Sequence, residues 1–89
     1  MTKKAKNLVN EFESRVMMQV VSYKTEKTAF DLRCDWIGTV KERFDVMLHE
    51  MLEYGLITDS DYNAVAEKSC EVAQKALDEL HQAYMEFTY

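Results

Sequence analysis

Not one of the 89 residues is proline, and only Gly38 and Gly55 are glycine. Proline is the commonest helix stop, because it lacks the amide proton and clashes with the preceding turn. A chain without it must end its helices with glycine, with capping side chains, or with a change of hydrophobic period. Long helices with few breaks are therefore expected. The length allows one domain, since domains seldom divide below roughly 100 residues. At 47% hydrophobic residues the chain is too apolar for a disordered polyelectrolyte. No apolar run approaches the ~18–20 residues of a membrane span, and the lysine-led MTKKAKNLVN has no apolar signal-like run behind it. These features lead us to expect a soluble, cytoplasmic, all-α protein. Folding at this size hides about 60–65% of the unfolded surface, a thin core for which self-association is a natural supplement.

Over residues 4–23, Ala5, Leu8, Val9, Phe12, Val16, Val20 and Tyr23 recur at steps of three and four, the spacing of one helix face. Lys24 to Thr28 is polar and reads as a turn, with Thr28 as N-cap and Asp31 three residues on. The next stretch carries two periods. Phe30, Leu32, Cys34 and Trp36 alternate with polar residues, as a strand would. The helical series Phe30, Cys34, Ile37, Val40 or Lys41, Phe44, Met47 or Leu48, Met51, Tyr54 runs for seven turns and outlasts it. One long helix near 29–54 is expected, with a β-hairpin over about 16–37, in an α+β fold, as the alternative.

The clearest boundary follows. Gly55 suits the left-handed position that ends a helix. Thr58 can cap the next one, with Asp61 at its third position and Ile57 and Tyr62 as a hydrophobic staple. The stretch MLEYGLITDSDY, residues 51–62, is similar to the junction of many short bacterial helical hairpins, the SHOCT-type C-terminal motif among them. That resemblance implies a turn and no activity. The last helix, about 59–86, sets Tyr62, Ala66, Ser69, Ala73, Ala76, Leu80, Ala83 and Phe87 in a seam, beside Cys70, Leu77 and Tyr84. Its small residues permit close approach of a neighbouring helix, from the same chain or from a second copy. The expected architecture is a three-helix up-down-up bundle containing a long helical hairpin.

Catalytic and metal chemistry find little to work with. His49-Glu50-Met51-Leu52-Glu53 starts like a zincin motif but has glutamate where the second histidine must stand. Asp45, His49 and Glu53 share a face, as do Asp78 and His81. In a hairpin pivoting near Ile57 the two histidines are nonetheless about 24 Å apart at ~1.5 Å per residue. The same arithmetic separates Cys34 from Cys70 by about 15 Å, beyond the ~7 Å that a disulfide spans. Both cysteines are expected to be reduced, buried small hydrophobes. Cys34 and His81 fall level with each other, but no orienting third residue accompanies them. No enzyme activity, metal or cofactor is expected.

Charge is more informative. Residues 1–45 hold 9 basic and 7 acidic side chains, whereas residues 46–89 hold 2 and 9, a net −7 within a chain of net −5. An acidic face including Glu67, Glu71, Asp78 and Glu79 suits a protein partner with a basic, nucleic-acid-handling surface. It disfavours direct DNA or RNA binding, which needs a basic stripe. An up-down-up bundle also gathers Tyr23, Phe30, Trp36, Tyr84, Phe87 and Tyr89 at one pole, with Lys24, Lys27 and Arg33. Phe30 and Phe87 suit a core plug, and the remainder has the composition of an interface hot spot. The expected function is that of a small acidic binding protein that regulates or inhibits a larger partner, a class common among phage and mobile-element accessory proteins. The alternatives are an oligomeric binder of an anionic nucleotide at the aromatic–basic pole, and a structural subunit that self-assembles through the alanine-rich seam.

Overall fold

The computed structural model describes residues 1–88. Three helices, α1 (Lys3–Glu26), α2 (Phe30–Glu53) and α3 (Asp59–Thr88), run up, down and up against one another. The bundle measures 48 × 19 × 16 Å. Residues 16–37, where a β-hairpin was the alternative, are helical apart from the short α1–α2 link. The seven-turn helical period outweighs four alternating steps because it buries one continuous stripe. Gly38 lies inside α2 without interrupting it. Among the described residues, no helix is long and apolar enough to cross a membrane.

The first link is shorter than the polar run suggested. Helix α1 continues through Lys24, Thr25 and Glu26, and Lys27 ends it in the left-handed conformation with φ 57°. Its amide donates to the Tyr23 carbonyl at 2.7 Å. The N-cap of α2 is Ala29, also left-handed at φ 59°, and not Thr28. No side chain caps this end. Two non-glycine residues in that region cost roughly 1–2 kcal/mol each. Arg33 offsets the cost by holding the link together. Its Nε donates to the Thr28 carbonyl at 3.0 Å and its Nη2 to Glu26 at 2.8 Å, while Nη1 reaches Gln19 of α1 at 3.3 Å. A donor side chain thus clamps the link, while the first amides of α2 go without a side-chain cap.

The second link follows the sequence closely. Gly55 sits at φ 71°. The Leu56 amide donates to the Met51 carbonyl at 2.8 Å and the Gly55 amide to Leu52 at 3.1 Å, the paired bonds of a Schellman ending. The Thr58 hydroxyl accepts from the Asp61 amide at 3.1 Å, capping α3. Ile57 is buried and Tyr62 half-buried, as a staple requires. Asp61 departs from expectation in what its carboxylate binds. It accepts from the hydroxyl of Thr2, at 2.7 Å and 59 residues away. Thr2 in turn caps α1 by accepting from the Ala5 amide. One buried carboxylate therefore ties the starts of α1 and α3 together.

A single core runs the length of the bundle. Helix α1 buries Ala5, Val9, Phe12, Val16, Val20 and Tyr23, the face read from its period. Helix α3 buries Val65, Ser69, Val72, Ala73, Ala76, Leu80 and Ala83. The middle of its small-residue seam, from Ser69 to Ala83, is therefore filled by α1 and α2 of the same chain. Val65 and Val72 belong to this face although the seam omitted them. Helix α2 is different: of its 24 residues only Ile37, Phe44 and Leu48 are buried. Tyr54, the last of its expected core series, is 77% exposed because the Schellman turn has already left the helix there.

Candidate functional site

The aromatic pole forms, with its rings packed on one another and Tyr84 and Phe87 partly exposed. Tyr23 is buried, with its ring centroid 5.7 Å from Phe30 and 6.0 Å from Phe87. Tyr84 stacks on Phe30 at 4.4 Å, and His81 meets the edge of the same ring at 5.3 Å. The cations are occupied as well. Lys27 lies 4.4 Å over the Phe87 ring, Lys24 is 4.0 Å from Glu79, and Arg33 is spent on the α1–α2 link. The recess beside them, of about 190 Å³, is lined by Lys24, Glu79, Gln82, Ala83 and Glu86, and its two carboxylates would repel a phosphate. Tyr89 lies outside the described residues.

Trp36 does not join this pole. It follows Phe30 by six residues, one and two-thirds helical turns, so it projects from another side of α2 about 9 Å further along. There it lines a groove of about 370 Å³ between α1 and α2. Phe12, Val40 and Phe44 form the groove floor, Met18, Trp36 and Met47 its apolar rims, and Glu11, Arg15 and Arg43 its charges. Trp36 is 45% and Met18 63% exposed. The Arg43 guanidinium stands 6.0 Å from the Trp36 ring, and Arg15 pairs with Glu11 at 3.0 Å. No residue of α3 lines this groove, which opens on the side of the bundle away from that helix. The sequence carried a signal for it. Trp36, Val40, Arg43 and Met47 recur at four, three and four residues, a second stripe beside the core series.

The acidic residues divide. Glu67, Glu71 and Asp78 are exposed, and their steps of four and seven place them in one file along the outer face of α3. Lys68 reaches Glu71 at 3.3 Å and Gln74 donates to Asp78 at 2.9 Å, both within the helix and exposed. Glu79, one residue past Asp78, turns toward α1 and Lys24.

The histidines sit at opposite ends, His49 beside Tyr62 with ring centroids 6.3 Å apart and His81 beside Phe30. His81 Nδ1 is 2.8 Å from the Leu77 carbonyl of its own helix. Among the described residues no three His, Cys, Asp or Glu side chains converge as metal ligands would. Both cysteines are free, and their environments differ. Cys34 is half-buried, whereas Cys70, expected inside, is exposed because it lies off the buried face that Ser69, Val72 and Ala73 define. Burial pushes the Cys34 thiol above its ordinary value, and the carboxylates of Asp31 and Asp35 push it the same way. The thiolate is the reacting species, so Cys34 is disfavoured twice, by access and by ionisation. Limiting iodoacetamide at mildly alkaline pH is expected to modify Cys70 several-fold faster than Cys34, as read by peptide mass mapping. Equal rates would show that Cys34 is more open than this packing allows.

No protein-family model matches the chain, and no characterised protein or solved structure is detectably similar to it.

Proposed function

We propose that this chain is a small, non-catalytic binding protein that regulates a larger protein through the acidic outer face of α3. The observation that carries this reading is how the fold uses its charges. The basic groups of the aromatic pole meet Glu79, Phe87 and the α1–α2 link of the same chain, while Glu67, Glu71 and Asp78 stand in file on solvent, with Lys68 and Gln74 as exposed neighbours on their own helix. A rod bearing such a file raises the local concentration of a basic surface and steers its approach. A protein that handles nucleic acid presents a surface of this kind.

The test compares the native chain with the triple variant Glu67→Gln, Glu71→Gln, Asp78→Asn. Immobilised native chain should retain a basic protein from host lysate at low salt and release it as salt rises. Titration of that purified protein should show about tenfold or more weaker binding to the variant, with a flatter salt dependence. Equal affinity of the two chains at low salt would overturn the reading.

A further inference from the structure

The α1–α2 groove is separate from the acidic face, and its own chemistry identifies its occupant. We propose that it is closed by a second copy of the chain, forming a two-fold dimer whose axis runs along the bundle.

Helices α1 and α2 are antiparallel, and three contacts fix their register. Phe12 meets Phe44, Gln19 meets Arg33, and Tyr23 meets Phe30. In that register Glu11 on one rim is level with Arg43 on the other, and Met18 is level with Trp36. A two-fold axis along the bundle exchanges the rims while keeping the level. Glu11 of each copy then faces Arg43 of the other, and Met18 faces Trp36. At these two levels the groove is complementary to itself, charge to charge and thioether to ring, as an isologous interface must be, while Arg15, one turn along α1, keeps its pairing with Glu11. Each α1 packs over the other copy's α2, so all neighbours among the four central helices are antiparallel, the usual four-helix arrangement. The Trp36 ring, now flanked by Arg43, gains a thioether on its open side, a contact aromatic rings favour.

Two further observations select a second copy over any other helix. Helix α2 buries three residues where α1, of equal length, buries six, so the monomer leaves α2 short of a partner. A 48 × 19 Å face can supply the roughly 800 Å² per partner of a standard interface. The net charge of −5 would oppose pairing elsewhere. Docking through the groove sets the two α3 files on opposite outer faces, about one bundle thickness of 16 Å from the interface on either side. That separation exceeds the ~8–10 Å over which salt lets surface charges interact. The same arrangement makes the acidic surface bivalent.

Sedimentation of the full chain from micromolar to millimolar concentration is the test. The mass should rise from 10.5 kDa toward twice that value, and emission from Trp36, the one tryptophan, should shift to the blue as it does. Trp36→Glu should weaken association roughly 30-fold or more, the effect of losing a central anchor. It should lower the melting temperature of the dilute monomer by only a few degrees, since the ring is nearly half exposed there. Met85→Glu, an exposed site on the outer side of α3, should leave association intact. Charge reversal decides the register: Glu11→Arg and Arg43→Glu should each weaken the dimer, and the double variant should restore it. A monomer mass across the whole range overturns the proposal and leaves the groove to another protein. So does a dimer indifferent to Trp36→Glu. Single reversals that the double variant fails to rescue overturn this two-fold register.

Discussion

Leu80→Ala is expected to destabilise the chain by about 3–5 kcal/mol, the range for removing a buried leucine where the surroundings collapse only partly. Leu80 is fully buried on α3, in the core that all three helices share. The loss is large against the total. At roughly 0.05–0.15 kcal/mol per residue, a chain of this length has only about 4–13 kcal/mol to lose. A thin bundle belongs near the lower end of that range. At 4–8 °C per kcal/mol for a domain of this size, the midpoint should fall by roughly 12–40 °C. Circular dichroism melts of both chains at one fixed concentration provide the measurement, because association would itself add stability. Leu32→Ala is the matched control. Leu32 is 70% exposed, so the same deletion there should stay within about 0.5 kcal/mol. Similar midpoints for the two variants would mean that the core does not lie where the periodicity and the packing place it.

That contrast marks how far the sequence could be read. The two leucines are chemically identical, and only period separates them. Leu80 stands in a seam repeated over many turns, whereas Leu32 belongs to an alternation that ends after four steps. Long-range repetition accordingly located α1 and α3, and local signals located the Gly55–Thr58 junction, where cap, turn and staple all agreed. The α1–α2 link resisted because its stabilising element is a side chain from the first turn of the next helix, bonding back across the link, and not a capping residue. Lys27 and Ala29 adopt a conformation that neither residue favours, and they are held there by the guanidinium of Arg33. No local propensity encodes such a clamp. The Asp61–Thr2 bond was hidden by distance, its partners lying 59 positions apart.

The candidate site was legible in composition more than in placement. Charge counting found the acidic half, and helical spacing then put Glu67, Glu71 and Asp78 on one file while turning Glu79 away. Counting aromatics near the chain reversal grouped Trp36 with Tyr23 and Tyr84, although 100° per residue directs it elsewhere. Its stripe with Val40, Arg43 and Met47 was open to view, but a mixed apolar and charged stripe resembles an ordinary boundary between core and surface. Only the sparse burial of α2 shows that this boundary is wider than one chain needs.

Ala76→Leu should be nearly as damaging as Leu80→Ala, by the opposite route. Ala76 is fully buried on the small-residue seam that lets α3 approach α1 and α2. Leucine and alanine are both strong helix formers, so helix propensity barely changes and the effect isolates packing. The added carbons meet side chains already at crystal-like density, and relief requires off-rotamer neighbours or a shift of α3 as a whole. A cost of about 2–3 kcal/mol is expected, or roughly 8–24 °C in the midpoint. Lys75→Leu, next in the chain but exposed, should leave the midpoint nearly unchanged. The variant also separates two roles for the alanine seam. If the seam joined copies of the chain, Ala76→Leu would dissolve an oligomer while the monomer melted as before. Because α1 and α2 of the same chain fill it, the monomer itself should lose stability, and the α1–α2 groove should remain the face that pairs.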